Sequence, residues 1–227
     1  MKIAVVVYDK MTALDALGPY AVMAMLPGRE ISFVAAKAGP VVDDCGALAV
    51  TATRTFDDYR DPEIVIVPGG FVTRRMSIVG DPCIEWLREV HPRTQWTTSV
   101  CTGALLLGAA GLLKGLRATT HWVAYDELAA FGADPDHERV IVHPERRIIT
   151  AAGVSAGIDM GLRLAQELAG DRVAQRIQLG MEYDPQPPFD AGSPLKAPPD
   201  LVEEMRTTLA ESKRRLLADL TPKAAEN

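Results

Sequence analysis

Residues 2–8 form a run of strand length that is apolar throughout after Lys2, and a further buried strand at 63–67, apolar after Glu63, ends abruptly in Pro68-Gly69-Gly70. Strands that are apolar without alternation belong to a sheet covered on both faces. Further strand-like runs occur at 31–36 and 95–100, and at 139–142 and 147–150 around the turn His143-Pro144-Glu145-Arg146. Residues 41–53 read as a hairpin or extended excursion. Helix-like stretches separate the strands. One covers 13–26, with Gly18-Pro19 interrupting it early; another runs to Val90, with Asp81 as cap and Pro82 at its first position. Others cover 102–113, 122–131 (stopping at Gly132), 155–169, 171–183 and 201–220. This alternation predicts an α/β fold with a mostly parallel central sheet and helices on both faces. A single domain is expected over 1–220, with a Pro-rich stretch at 184–199 and a frayed tail at 221–227.

The net charge of -6 argues against a nucleic-acid surface and against anionic membranes as partners. The basic run Lys213-Arg214-Arg215 reads as the solvated face of the last helix. No apolar run approaches the roughly 20 residues that span a bilayer. The first run is too short for a leader, and Asp9 and Asp15 follow it without a suitable cleavage site, so it reads as a buried strand. Cys45, Cys83 and Cys101 are odd in number and widely spaced, which gives neither a disulfide framework nor a metal-like pair. A reducing, cytoplasmic location is expected. Neither a metal nor an organic cofactor is expected.

In open parallel sheets, sites form beyond the carboxyl ends of the strands. Three places qualify: the loop after Tyr8, the Pro68-Gly69-Gly70 turn, and the junction Val100-Cys101-Thr102-Gly103. At the last, strand passes to helix with no intervening loop. A residue there is held in a tight conformation, its side chain pushed out over the sheet. The helix N-terminus favours thiolate over thiol, so the reading is an exposed, ionised nucleophile. The alternative is a small buried apolar residue. Cys45 and Cys83 have no such setting and read as structural.

Several segments around these residues form a pattern. They are Leu14-Asp15-Ala16-Leu17-Gly18-Pro19, Val67-Pro68-Gly69-Gly70, Val100-Cys101-Thr102-Gly103-Ala104-Leu105, Ala118-Thr119-Thr120-His121-Trp122, Ala156-Gly157-Ile158-Asp159 and the run from Glu182 to Pro194. Together they resemble the ThiJ/PfpI superfamily and, within it, the isonitrile hydratases, from about residue 2 to about residue 205. The resemblance implies a flavodoxin-like three-layer sandwich, a homodimer, a cysteine nucleophile and an aspartate acid/base partner. On this chain these are Cys101 and Asp15. It departs from the pattern at Ala16 and Leu17, where Leu and Thr are common, and in the bulky, charged loop Phe71-Val72-Thr73-Arg74-Arg75. Peptidase-like relatives carry His where Thr102 stands, and deglycase-like relatives use Glu where Asp15 stands. The helix-turn-helix module of some regulators is not expected, since the chain ends soon after the domain.

The function implied is hydration of an isonitrile to an N-substituted formamide through a covalent thioimidate on Cys101. This needs one nucleophile and one group that gives and takes a proton. Asp15 takes the second role; its alternative is a helix N-cap. Thr102 is read as bonding to Asp15 or orienting water, or else as packing. Gly69 and Gly70 are read as presenting N–H groups to substrate, or as a plain turn. Gly153 and Val154 close the pocket, and His121 lines its edge or is structural. His91, His137 and His143 have no metal spacing and read as incidental. The competing functions are a glyoxalase- or deglycase-like enzyme of the same superfamily, and a cysteine redox or ligand sensor.

Overall fold

The computed structural model describes residues 1–218. The chain divides into two compact units, Met1–Tyr183 and a second from Asp184. The sequence alone draws no boundary at that point. The end of the expected last helix, 219–220, and the expected tail lie outside the described residues.

The first unit begins with β1 (Lys2–Val6), α1 (Ala13–Met23) and β2 (Glu30–Ala35). The hairpin β3 (Gly39–Val42) and β4 (Ala49–Ala52) follows, then β5 (Arg54–Thr55) and β6 (Ile64–Val67). Next come α2 (Thr73–Val79), α3 (Pro82–Val90), β7 (Trp96–Val100), α4 (Gly103–Ala109) and the short β8 (Arg117–Ala118). The unit closes with α5 (Tyr125–Ala130), β9 (Asp134–Pro135), β10 (Val140–His143), β11 (Ile148–Ala151), α6 (Ala156–Ala169) and α7 (Asp171–Gly180). In the second unit a loop leads into α8 (Pro199–Ala218), which carries the Lys213-Arg214-Arg215 run. That loop is held by an ion pair between Lys196 and Asp190, 2.9 Å.

The main sheet has seven strands in the order β10-β11-β7-β6-β1-β2-β5. Every pairing in it is parallel except β10 with β11. Taken alone, β1, β2, β6, β7 and β11 run in the doubly wound order of flavodoxin-like folds, and the order reverses between β1 and β6. The crevice at that reversal is where such sheets hold their sites.

Because side chains alternate along a strand, β1 feeds two cores. Ile3, Val5 and Val7 pack with Val22 and Met23 of α1 and with Met160 and Leu164 of α6. Ala4 and Val6 pack on the other face with Leu87 of α3, Leu105 and Leu106 of α4, and Leu128 of α5. The result is three layers, with both faces of the sheet covered, as the unbroken apolar strands require. α1 and α6 approach closely because Gly157 and Gly161 present no side chain: a Cβ at Gly161 would stand 3.0 Å from Val22 Cβ.

Some expectations need correction. Residues 71–75 are not a loop: α2 begins at Thr73, whose hydroxyl and N–H both bond the Gly70 carbonyl. Arg74 is buried in an ion pair with Glu127, 3.1 Å, and lies over the Phe71 ring. Two adjacent arginines look like surface in a linear reading; here the partner for the buried one lies 53 residues away. Pro19 does not break α1, which continues to Met23. α4 stops at Ala109, before the left-handed Gly111 (φ +79°), rather than at 113. Asp81 does cap α3, accepting from Cys83 N at 2.9 Å.

Leu105 is fully buried in the α3–α4 core. Leu105→Ala should cost about 2–5 kcal/mol, read as a lower urea midpoint with an unchanged slope.

Candidate active site

β1, β6 and β7 lie side by side in the sheet, and the chain leaving each of them contributes one part of a single buried cluster. After β7 comes Cys101, with φ +56°. A non-glycine residue in that region costs about 1–3 kcal/mol and persists only where its surroundings hold it. Here the Cys101 N–H donates to the carbonyls of Ala151 (3.1 Å) and Ala152 (2.9 Å), at the end of β11. Its own carbonyl accepts from the Thr120 hydroxyl at 2.8 Å. Gly103 lets α4 start directly beneath: a Cβ there would stand 2.3 Å from the Val67 carbonyl oxygen.

After β1 comes Asp15, fully buried, in the first turn of α1. It is not the N-cap; that position belongs to Thr12, which makes no side-chain cap bond. Asp15 Oδ2 accepts from Gly69 N at 2.9 Å. The other oxygen, Oδ1, is buried and has no regular hydrogen-bond partner. The Cys101 thiol lies against this carboxyl, close enough for the two groups to shift each other's pKa. Burial pushes the Asp15 pKa up to about 7, against the pull of the Gly69 N–H and the Cys101 thiol, with Asp44 adding to the rise.

For Cys101 the structure overturns the expected exposure. The residue is 5% exposed. Burial, and next the Asp15 charge, push its pKa up to about 12, outweighing the N–H groups of Val154 and Thr102 that favour the anion. The helix-end effect is real but smaller than desolvation. Burial and the neighbouring carboxylate thus both disfavour the Cys101 anion.

After β6 comes the Pro68-Gly69-Gly70 turn, wedged between the other two segments. A Cβ on Gly69 would stand 2.6 Å from Thr102 N and 2.8 Å from Asp15 Oδ2. The expectation that Gly69 and Gly70 offer free N–H groups to substrate fails here. Gly69 N is taken by Asp15, and Gly70 N donates to the Thr102 hydroxyl at 3.1 Å. That hydroxyl donates back to the Gly70 carbonyl at 2.9 Å, so Thr102 bonds the turn, not Asp15. Its N–H, by contrast, faces the sulfur.

Gly153 and Val154 follow β11 and reach the same place. Val154 (φ +29°) directs its N–H at Cys101. The His121 ring sits on Gly153, where a Cβ would be 2.8 Å from His121 Cδ2. Burial, then the Arg74 charge, lower the His121 pKa to about 4, so the imidazole is neutral near pH 7. Of the residues singled out from the sequence, Asp15, Thr102 and Val154 reach the Cys101 sulfur, Gly69 and Gly70 bond Asp15 and Thr102, and Gly153 packs on His121 beside them.

Sequence reasoning missed Thr120, which braces the cysteine although its Thr-Thr-His-Trp segment was conspicuous. It also missed Tyr8, whose hydroxyl donates to the Pro68 carbonyl, and Arg74. Among the described residues, donor atoms of Asp43, Asp44 and Cys45 come together at the hairpin tip. Those carboxylates already accept hydrogen bonds, Asp43 from Ala47 N and Leu48 N and Asp44 from Thr12. A cavity of about 350 Å³ beside β10, lined by Arg117, Glu138, His143 and Arg163 among others, shares no residue with the cysteine cluster.

The model of the DJ-1/PfpI family matches residues 1–167. An isonitrile hydratase of Pseudomonas putida is 40% identical over 99% of this chain and 96% of its own length. A ThiJ/PfpI family protein from Pseudomonas syringae, 41% identical, superposes with a TM-score of 0.88 over 96% of this chain and 89% of that one. Schizosaccharomyces pombe DJ-1 shares the fold at 19% identity, with a TM-score of 0.69 over 80% of this chain and 98% of its own. On the strength of these matches over a sheet and cysteine junction of this kind, the chain belongs to the DJ-1/PfpI family.

Proposed function

We propose that this protein hydrates isonitriles to N-substituted formamides. The observation that carries the reading is the unsatisfied, fully buried oxygen of Asp15 beside a cysteine thiol held in a left-handed conformation. It is supported by the 40% identity, over nearly the whole chain, to an isonitrile hydratase.

An isonitrile carbon must gain a nucleophile and a proton together. In the first step the ionised Asp15 carboxyl takes the thiol proton of Cys101, the sulfur bonds to the terminal carbon, and the proton passes to that same carbon. The product is a thioimidate, R–N=CH–S–Cys101. Water then adds across the C=N bond, its hydroxyl to carbon and a proton to nitrogen, with Asp15 relaying the proton. Collapse forms the C=O bond, expels the sulfur, which recovers its proton, and releases R–NH–CHO. The balance is one isonitrile plus one water to one formamide, without oxidation or reduction. The N–H groups of Val154 and Thr102 face the sulfur and stabilise negative charge on it as the proton leaves. A redox-sensor function fits less well, since sensor thiols are exposed and readily ionised.

Catalysis requires one proton on the pair, wherever it resides. The ratio kcat/KM for an alkyl isonitrile should therefore rise with pH through about 7, as the pair loses its first proton. Loss of this limb in Asp15→Asn, measured with formamide release, supports the assignment. Full turnover by Cys101→Ser, or no adduct on Cys101 by mass spectrometry after brief isonitrile exposure, refutes it.

The buried carboxyl also affects folding. Between pH 3.8 and about 7 the unfolded chain ionises Asp15 while the folded chain keeps it protonated, so wild-type stability falls as pH rises through this window. Asp15→Asn removes the titration. Its stability relative to wild type should improve from acid to slightly alkaline pH, by on the order of 4 kcal/mol if the whole shift is expressed. Urea unfolding at several pH values measures this, and a pH-independent difference would contradict it.

A further inference from the structure

The β3–β4 hairpin forms a two-stranded sheet separate from the main one. It is nevertheless sewn to the segment that leads from β1 into α1. Lys10 N donates to the Val42 carbonyl (2.7 Å), and Val42 N donates to Asp9 Oδ1 (3.0 Å). Asp44 N donates to the Met11 carbonyl (2.9 Å), and the Thr12 hydroxyl donates to Asp44 Oδ2 (2.8 Å). Thr12 then reaches the site by two routes. Its carbonyl accepts from Asp15 N at 3.1 Å, while its N–H donates to the Gly69 carbonyl at 3.0 Å. The opposite end of the Gly69 residue, its N–H, holds Asp15 Oδ2. Space at this contact is tight: a Cβ on Gly70 would stand 2.7 Å from the Lys10 carbonyl oxygen.

We propose that Asp44 is a positioning residue for Asp15, acting through Thr12 and Gly69 to fix where the carboxyl stands against the Cys101 sulfur. The inference rests on the reading of Asp15 as the acid/base of the proposed reaction. It gives the hairpin a task that its position outside the main sheet leaves unexplained. The Asp44 charge adds to burial in holding the proton on Asp15. The other titratable groups that face Asp15 are Cys101, from the β7–α4 junction, and Tyr8, at the end of β1. Asp44 is itself exposed. Its charge effect is therefore screened by salt, whereas its hydrogen bond to Thr12 is not. The two contributions can be separated.

The test compares wild type with Asp44→Asn, Asp44→Ala and Thr12→Val. Asp15 is titrated by its carboxyl infrared band, with Asp15→Asn as the blank, so that no substrate is needed. Turnover of an alkyl isonitrile is followed in parallel. Asp44→Asn keeps an acceptor for Thr12 and removes only charge. It should lower the Asp15 midpoint by about half a unit at low ionic strength, and the difference should close at high salt. Asp44→Ala and Thr12→Val release the loop. They should lower kcat about tenfold with KM little changed, as for a displaced catalytic group, and their altered midpoints should persist in salt. A merely structural role would lower thermal stability and leave the Asp15 midpoint where it was. An unchanged midpoint in Asp44→Asn at low salt, or in the folded Thr12→Val variant, overturns the proposal. Shifted midpoints in the variants, with a wild type that turns over no isonitrile, would instead sustain the positioning role and sink the proposed reaction.

Discussion

Two ionisable groups, the Cys101 thiol and the Asp15 carboxyl, occupy one desolvated space, and neither can charge freely there. Burial penalises both anions, and the Asp15 charge further penalises the Cys101 anion. The carboxyl yields first, because it is intrinsically the stronger acid (3.8 against 9.0 for a thiol) and the Gly69 N–H adds to the stabilisation of its charge. Near neutral pH the cluster is passing from two protons to one for its two acids, and the one-proton state dominates above about 7. That state suits addition to a carbon that needs a sulfur and a hydrogen in one event. A free thiolate would deliver only the first of these. An ionised carboxyl beside a thiol carries both the base and the proton.

The rest of the fold serves to bring these groups together and hold them there. The sheet order reverses between β1 and β6, so the chain leaving those strands diverges and opens a crevice at their carboxyl ends. The Pro68-Gly69-Gly70 turn fills the base of that crevice, where glycine alone permits Thr102 N and Asp15 Oδ2 to come so close. The unfavourable backbone at Cys101 is held from the β11 end by the Ala151 and Ala152 carbonyls and from the opposite side by the Thr120 hydroxyl. Strain and desolvation are local costs, offset by two cores that are filled with fully buried aliphatic side chains.

What could be read from the sequence was what short-range pattern encodes. The unbroken apolar runs announced a doubly covered parallel sheet. The direct passage from strand to helix marked Cys101, and the Gly-Gly after β6 marked the turn beneath it. The environment of the sulfur could not be read. Its partners include Asp15, 86 residues earlier, and Val154, 53 residues further along the chain. Helix-end geometry alone pointed to an exposed thiolate, and long-range packing buries the sulfur and opposes its charge. The same limit hid α2: the buried Arg74 depends on Glu127, and no local signal links them. Asp44 likewise looks like one more acidic residue in a surface hairpin until its bond to Thr12 is seen.

The shared-proton description is tested most directly by the ultraviolet absorbance of thiolate, taken as wild type minus Cys101→Ser across the pH range. With a thiol whose pKa is pushed up to about 12, the difference spectrum should show no thiolate at neutral or mildly alkaline pH. In Asp15→Asn, which lacks the opposing charge, thiolate should appear at lower pH than in wild type. Thiolate absorbance from Cys101 in the resting wild type near neutrality would contradict the account.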